Sequence, residues 1–383
     1  MTTNPSGQQQ PRLGYVTDLA PTPAGGGSYA VNWHGYEELS RCFNMRYYGP
    51  IVPRRPILQD IISKFNRYFL KRPGRFVYFS EATLNSNART VESHIENDID
   101  GIVFRSAARW CRVKPKIPYY VYLDAVFHTF FYNTFDESDF VRSDLERIFE
   151  EEAQFLEGAA AVFFESSWGM QKAREAYSLK GAHYLNVGRG GVVSPPEKDS
   201  WDGQSYYLVT MAMNFSQKGG EVVLEAYRIL KARFPSLTWH IIGGEPTPEW
   251  KQLEGVIYEG FLNPDNQRQR SRLETILQNA FLLLHPTRED VSPLVITEAG
   301  YFGCPAISIN AFGIPELVTH GVTGILLNSA TANELATSVA ELLENEQRYR
   351  GMRINAREKA LSRFRWDKVG ALMCDRISLT IGE

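Results

Sequence analysis

Twice along this chain, apolar runs of strand length alternate with segments of helix length, and a stretch that fits neither period separates the two series. The first series reads LGYVTD from Leu13, a helix-length segment Tyr29 to Cys42, MRYYGPI, FVYFS, GIVFRS, PYYVYLD, the segment Ser138 to Gly158, AAVFFES, and Trp168 to Ser178. The second reads SYYLVTMAM, KGGEVVLEAYRILKARF, LTWHIIGG, VIYEGF, SRLETILQNA, FLLLHP, a helix after Ser292, PAISIN, GILLN, and closing helices from Ala330 onward. Strands that are apolar on both faces must be covered on both faces, and strands alternating with helices predict βαβ units with a parallel sheet. Each series is therefore expected to form an α/β domain. Gly188 to Gln204, GRGGVVSPPEKDSWDGQ, clusters Gly, Pro and charge as a domain boundary does. The expected organisation is a disordered polar tail over 1–12, a first domain over 13–190, a linker over 191–204, a second domain over 205–363, and a closing segment over 364–383.

Length agrees, since 383 residues exceed what one core usually holds. Forty-one Lys and Arg against 44 Asp and Glu leave a net charge of −3, and no basic block stands out. A nucleic-acid partner is not expected. Cys42, Cys111, Cys304 and Cys374 are widely spaced, without CxxC pairs, so they read as reduced thiols of a cytoplasmic protein rather than a metal site or a disulfide framework. No apolar run approaches the ~20 residues that cross a bilayer, which leaves contact with a membrane surface open.

The stretch from His285 to Asn328, HPTREDVSPLVITEAGYFGCPAISINAFGIPELVTHGVTGILLN, carries the clearest chemistry. Ser292 stands where an N-cap belongs, with Pro293 at the first helical position, so free amides and the positive end of a dipole are expected at Ser292, Pro293 and Leu294. Asp290 and Glu298 bracket that helix start at the carboxyl end of a strand, where open α/β sheets bind ligands. Carboxylates beside an anion site suit the hydroxyls of a sugar or ribose; solvated charges at a helix start are the other reading.

The whole segment resembles the donor site of the retaining glycosyltransferases of family four. In that pattern an acid, seven residues and Glu-Ala precede a Gly-x-Pro and a Gly-rich loop ending in Pro-Glu. Here these are Asp290, Glu298-Ala299, Gly303-Cys304-Pro305 and Gly313-Ile314-Pro315-Glu316, with Val291-Ser292-Pro293 in place of the usual Gly-Phe-Gly. MNFSQKGGEVVLEAYRILKARFP resembles the family's Lys-Gly and following helix, whose core face would be Val223, Tyr227 and Leu230. The resemblance implies a GT-B fold: two Rossmann-like domains facing a cleft, with a C-terminal helix crossing back to the first. It also implies that Glu298 binds the ribose, Asp290 the donor sugar, and Lys218 with the Ser292 to Leu294 amides the diphosphate. An Arg usual five residues before the Lys is Met213 here, and Arg288 is the expected substitute. Gly244, after LTWHII, falls where the family turns against the nucleotide.

In the first half, DLAPTPAGGGS follows the first strand, and the resemblance places Gly26 and Gly27 opposite the donor phosphates. Asp124, in an Asp-Ala-x-Phe run with Phe127, is expected on the acceptor side as a catalytic group, with Ser166-Ser167-Trp168 following. A strand-end turn cap is the alternative for Asp124, and an aromatic-cluster residue for His128. Asp98-Ile99-Asp100 has the form of a metal-binding DxD but precedes its strand, so it reads as a solvated turn. By resemblance the chain transfers a sugar from a nucleotide-diphosphate sugar to a glycan, lipid or small aglycone, retaining configuration and needing neither metal nor cofactor. A nucleotide-sugar epimerase or hydrolase on the same fold, or a silent sugar-nucleotide-binding protein, remains the alternative.

Overall fold

The computed structural model describes residues 10–22, 27–53, 56–203, 206–246, 250 and 253–381. It divides into two compact units. One holds Met1–Thr22, Val31–Gly188 and Trp366–Glu383; the other holds Pro23–Ala30 and Arg189–Arg365.

The first unit is built on six parallel strands: β1 (Arg12–Val16), β2 (Asn44–Tyr48), β3 (Gly101–Arg105), β4 (Tyr119–Leu123), β5 (Ala161–Phe164) and β6 (Tyr184–Asn186), in the order β2-β1-β3-β4-β5-β6. Its helices are α1 (Gly27–Ser40), α2 (Ile57–Tyr68), α3 (Glu81–His94), α4 (Phe127–Thr134), α5 (Arg142–Glu157) and α6 (Ser167–Tyr177). The second unit has β7 (Tyr207–Ala212), β8 (Thr238–Gly243), β9 (Val256–Gly260), β10 (Ala280–His285), β11 (Ala306–Ile309) and β12 (Gly324–Leu327), ordered β12-β11-β10-β7-β8-β9. Its helices are α7 (Gly220–Arg233), α8 (Gln267–Asn279), α9 (Leu294–Tyr301), α10 (Ile314–Leu317), α11 (Ala332–Glu344) and α12 (Glu346–Arg363), and α13 (Trp366–Thr380) closes the chain.

Alternation along the strands sorts the second unit's core onto two faces of its sheet. Leu208, Trp239, Ile241, Leu282 and Leu284 join Val223, Tyr227 and Leu230 of α7 in one cluster, while Val209, Met211, Ile242 and Leu283 pack with Ile296 and Ala299 of α9 in another. The strand order reverses between β7 and β10. The carboxyl ends of these two neighbours define the point at which such sheets receive ligands.

Several expectations are corrected. Arg12 already belongs to β1, so the end of the predicted tail is strand; residues 1–9 of that tail lie outside the described set. FVYFS makes a short 3₁₀ turn, Val77–Phe79, instead of a strand. Phe76 and Phe79 are drawn into an aromatic cluster with Phe127, 4.8 Å from each, and no strand pairs with them. The segment read as a linker is packed where it is described: Asp199 accepts from Arg353 Nε and Nη2 at 2.7 and 2.8 Å, and Arg357 donates to the Pro196 carbonyl at 2.5 Å. The four cysteines are not all reduced. Cys42 and Cys374 form a disulfide with a Cα separation of 6.3 Å, while Cys111 and Cys304 are free. A wide spacing in sequence carries no information about this pair, because α13 returns to the first unit, where Tyr120 Oη lies 2.8 Å from Thr380 Oγ1.

Candidate active site

Two loops of the second unit meet at the strand-order reversal. The loop after β7 runs Asn214 to Gly219 into α7, and the loop after β10 runs Pro286 to Pro293 into α9. They are sewn together through backbone and side chains: Arg288 N donates to Gln217 O at 3.0 Å, Gln217 Nε2 to Glu289 Oε2 at 2.9 Å, and Thr287 Oγ1 to Gln217 O at 3.5 Å. Gly219 makes the close approach feasible. Its φ is +79°, and a Cβ there would sit 2.1 Å from the Pro286 carbonyl oxygen, so any side chain would push the loops apart.

The consequence is the placement of Lys218. Its Nζ donates to Asp290 Oδ2 at 2.7 Å and to the Glu289 carbonyl at 2.7 Å, with both side chains about four-fifths buried. His285, the last residue of β10, is 1% exposed and brings Nε2 to 3.4 Å from the same Asp290 oxygen. Burial pushes the Asp290 carboxyl up, but His285 and the Lys218 ammonium outweigh it and hold the acid at about 2. Asp290 is therefore a fixed carboxylate at the mouth of the sheet.

Glu298 has different company. It lies on α9 with 5% exposure, and Oε1 accepts from Val192 N at 2.8 Å. Burial raises its pKa, while the amides of Val192 and Val193 and the charge of Arg189 pull it back. The Gly191 backbone runs so close that a Cβ would meet Glu298 Cγ at 2.7 Å, and Tyr301 Oη accepts from Gly191 N at 3.0 Å. Glu298 thus anchors the chain entering the second unit, which its spacing from Asp290 does not reveal. Helix α9 begins one residue later than expected: Pro293 is its N-cap, with no side-chain cap, and Ser292 stands outside it, buried. Pro293 is itself extended, with φ −68° and ψ 120°, so the helix begins only after it and Ser292 is left one position short of the cap. Leu294 is the first helical residue.

Arg288 is largely exposed and pairs with Glu221 at 3.6 Å, away from the Lys218–Asp290 contact; Met213 is 67% exposed. Gly244 folds its backbone against Met213, whose carbonyl oxygen a Cβ would meet at 2.1 Å. In the first unit, Asp124 follows β4 and accepts from the adjacent Ala125 N at 2.8 Å, with its side chain exposed. Gly169 of α6 packs against its carbonyl, and Ser166 caps α6 by accepting from Gly169 N at 3.0 Å. His128 sits among Tyr132 and Phe149, at 4.7 and 4.9 Å. Asp98 and Asp100 both bind Arg12, as a turn at the amino end of β3 would have them. Gly27 opens α1 at φ +28°, and Gly26 lies outside the described residues. Sequence reasoning missed His285; the only signal was a polar residue ending an apolar strand.

Residues 196–359 match the family described as Glycosyl transferases group 1. Over 186 residues the chain is 27% identical to a GDP-mannose-dependent alpha-(1-6)-phosphatidylinositol monomannoside mannosyltransferase of Mycobacterium tuberculosis, covering 45% of this chain and 47% of that one. Over 102 residues it is 32% identical to an N-acetyl-alpha-D-glucosaminyl L-malate synthase of Bacillus anthracis, covering 27% and 26%. The chain thus spans about half the length, or less, of these curated relatives. Among solved structures, a sucrose-phosphate synthase of Thermosynechococcus elongatus superposes with a TM-score of 0.73 at 15% identity, covering 98% of this chain and 100% of that one. HepE of Anabaena in complex with UDP-glucose gives 0.62 at 15%, covering 96% and 99%. Residues 196–359 thus match the glycosyl transferases group 1 model, and the chain has the fold of these solved structures, the two parallel α/β sheets of the GT-B fold.

Proposed function

We propose that this protein transfers a sugar from a nucleotide-diphosphate sugar to an acceptor hydroxyl with retention of configuration and without a metal. The observation that carries the reading is the Lys218–Asp290 contact at the strand-order reversal of the second sheet, where an amine and a carboxylate stand side by side. An ammonium has three N–H donors, and two are engaged here, which leaves one for a phosphate oxygen. As the bond from the sugar's C1 to the diphosphate oxygen breaks, negative charge grows on that oxygen, and Lys218 with the first amides of α9 would stabilise it where it forms. The acceptor hydroxyl then bonds to C1, and its proton passes to the departing phosphate oxygen. Asp290 would accept hydrogen bonds from donor hydroxyls, Glu298 would take the ribose by way of its free lone pairs, and Asp124 would serve the acceptor. The activity belongs in the cytoplasm, with its nucleotide-sugar supply; no helix among the described residues is long and apolar enough to cross a membrane.

One relative is named for GDP-mannose and one structural neighbour holds UDP-glucose, so both donors belong in the test. Donor consumption is followed with and without an acceptor panel, in EDTA, and the product's anomeric configuration is read by NMR. Acceptor-dependent turnover in EDTA with retained configuration supports the proposal. Donor consumed without acceptor indicates the hydrolase or epimerase reading, and inversion or rescue only by Mn²⁺ contradicts the mechanism.

A further inference from the structure

Helix α2 is mounted with its polar side inward. At about 100° per residue, Ile57, Ile61, Phe65, Leu58, Phe69 and Ile62 fall in that order across an arc of about 140°, and Tyr68 lies within it. An ordinary surface helix turns such a stripe to the core. Here the six are between 50% (Ile62 and Phe65) and 77% (Phe69) exposed, and the one fully buried residue of the helix is Ser63. The inward contacts are polar. Ser63 Oγ donates to the Arg75 carbonyl at 2.7 Å, and the Arg67 guanidinium lies 4.3 Å from the centre of the Phe140 ring and 3.8 Å from Asp139. The outward face is a continuous apolar surface on which Phe65 and Phe69 stack at 5.4 Å.

Exposed apolar surface of this extent on one element marks an interaction site. The charges around it identify the partner. Lys71, Arg72 and Arg75 follow the helix directly, all exposed, and Lys64 lies on its polar flank; Asp60, which Lys64 binds at 2.7 Å, is the helix's one acidic residue. This cationic collar belongs to a chain whose net charge is −3, so it is a local feature and not a reflection of composition. An apolar stripe with Ile, Leu and Phe, bordered by Lys and Arg, is the pattern of a helix lying in a membrane interface, where the stripe enters the acyl boundary and the cations meet anionic headgroups.

We propose that the 57–75 segment docks the protein on an anionic lipid surface, with α2 parallel to the bilayer plane. Two copies of the chain joined through the same face would set Lys64, Lys71 and Arg72 of each against those of the other, which disfavours self-association. The proposal is independent of the sugar-transfer reading and is tested without activity. The full chain is co-sedimented with vesicles of phosphatidylcholine alone and of phosphatidylcholine mixed with phosphatidylglycerol, at low and high salt. Binding is expected to the mixed vesicles, weakened by salt, and weaker by about 10-fold or more on phosphatidylcholine alone. Ile61→Ser/Phe65→Ser/Phe69→Ser should reduce binding to the mixed vesicles by about 10-fold or more with an unchanged thermal midpoint, since these side chains are solvent-facing. Lys71→Glu/Arg72→Glu, which leaves the helix intact, should abolish the preference for anionic vesicles. Binding by either variant equal to that of the native chain, no binding by the native chain, or a native dimer that the triple substitution dissolves would each overturn the proposal.

Discussion

Asp290 and Glu298 are eight positions apart and share a helix start, yet the structure gives them opposite electrostatic lives. Asp290 is held at about 2, below its ordinary 3.8, so its ion pair contributes stability that is fully present above pH 3.8 and lost as pH falls through 2. The stability difference between the native chain and Asp290→Asn should therefore be constant from pH 8 to pH 4 and shrink below it; chemical denaturation at several pH values measures this. Glu298, with its raised pKa, is engaged with backbone amides. Glu298→Gln keeps an acceptor for Val192 N and should leave the thermal midpoint in place while raising the donor KM. Glu298→Ala strands a buried amide and should cost about 1–3 kcal/mol of stability. The spacing from Asp290 to Glu298 was legible because it is local and survives folding unchanged. The partners of these carboxylates were not, because His285 and Val192 reach them only through the sheet and the chain entry.

Among elements, the strands were readable and the helices of the first unit less so. A parallel strand buried on both faces must be apolar throughout, and every such run in the second half became a strand. FVYFS obeyed the same composition but found an aromatic cluster before it found a partner strand. Helix α2 carries an apolar stripe at helical spacing in the sequence, but that this stripe faces outward is a property that periodicity does not encode. Helix α5 carries a second hidden feature. Glu152 is buried, accepts from Phe127 N at 2.8 Å and Tyr177 Oη at 2.5 Å, and is pushed by that burial up to about 7. A carboxyl raised in the folded state favours folding below its unfolded pKa of about 4.5 and loses that advantage as pH rises through 7. Replacing it by Gln keeps an acceptor and removes the titration. Glu152→Gln should therefore gain on the native chain by about 2 kcal/mol between pH 5 and 8, and parallel denaturation curves at the two pH values would show no such gain if the carboxyl titrates normally.

At the scale of the molecule, the closing segment is the part whose destination the family resemblance supplied and whose attachment it did not. Helix α13 belongs to the first unit, and the Cys42–Cys374 bond spans 332 residues of sequence. Reduction, or Cys374→Ser, should lower the stability of the first unit by about 2–4 kcal/mol, visible as a lower melting transition in reductant. An unchanged transition would mean that packing of residues such as Val369, Met373 and Ile377, with the Tyr120–Thr380 contact, holds the helix without the bond.

On the proposed mechanism Lys218 meets charge that develops as the diphosphate departs, so its contribution should appear in turnover more than in donor binding. Steady-state donor titration of Lys218→Ala, at saturating acceptor, reads this directly. A fall in kcat on the order of 10²-fold, with donor KM changed far less, is the result predicted. An unaltered kcat would contradict it and leave Lys218 as no more than the structural partner of Asp290.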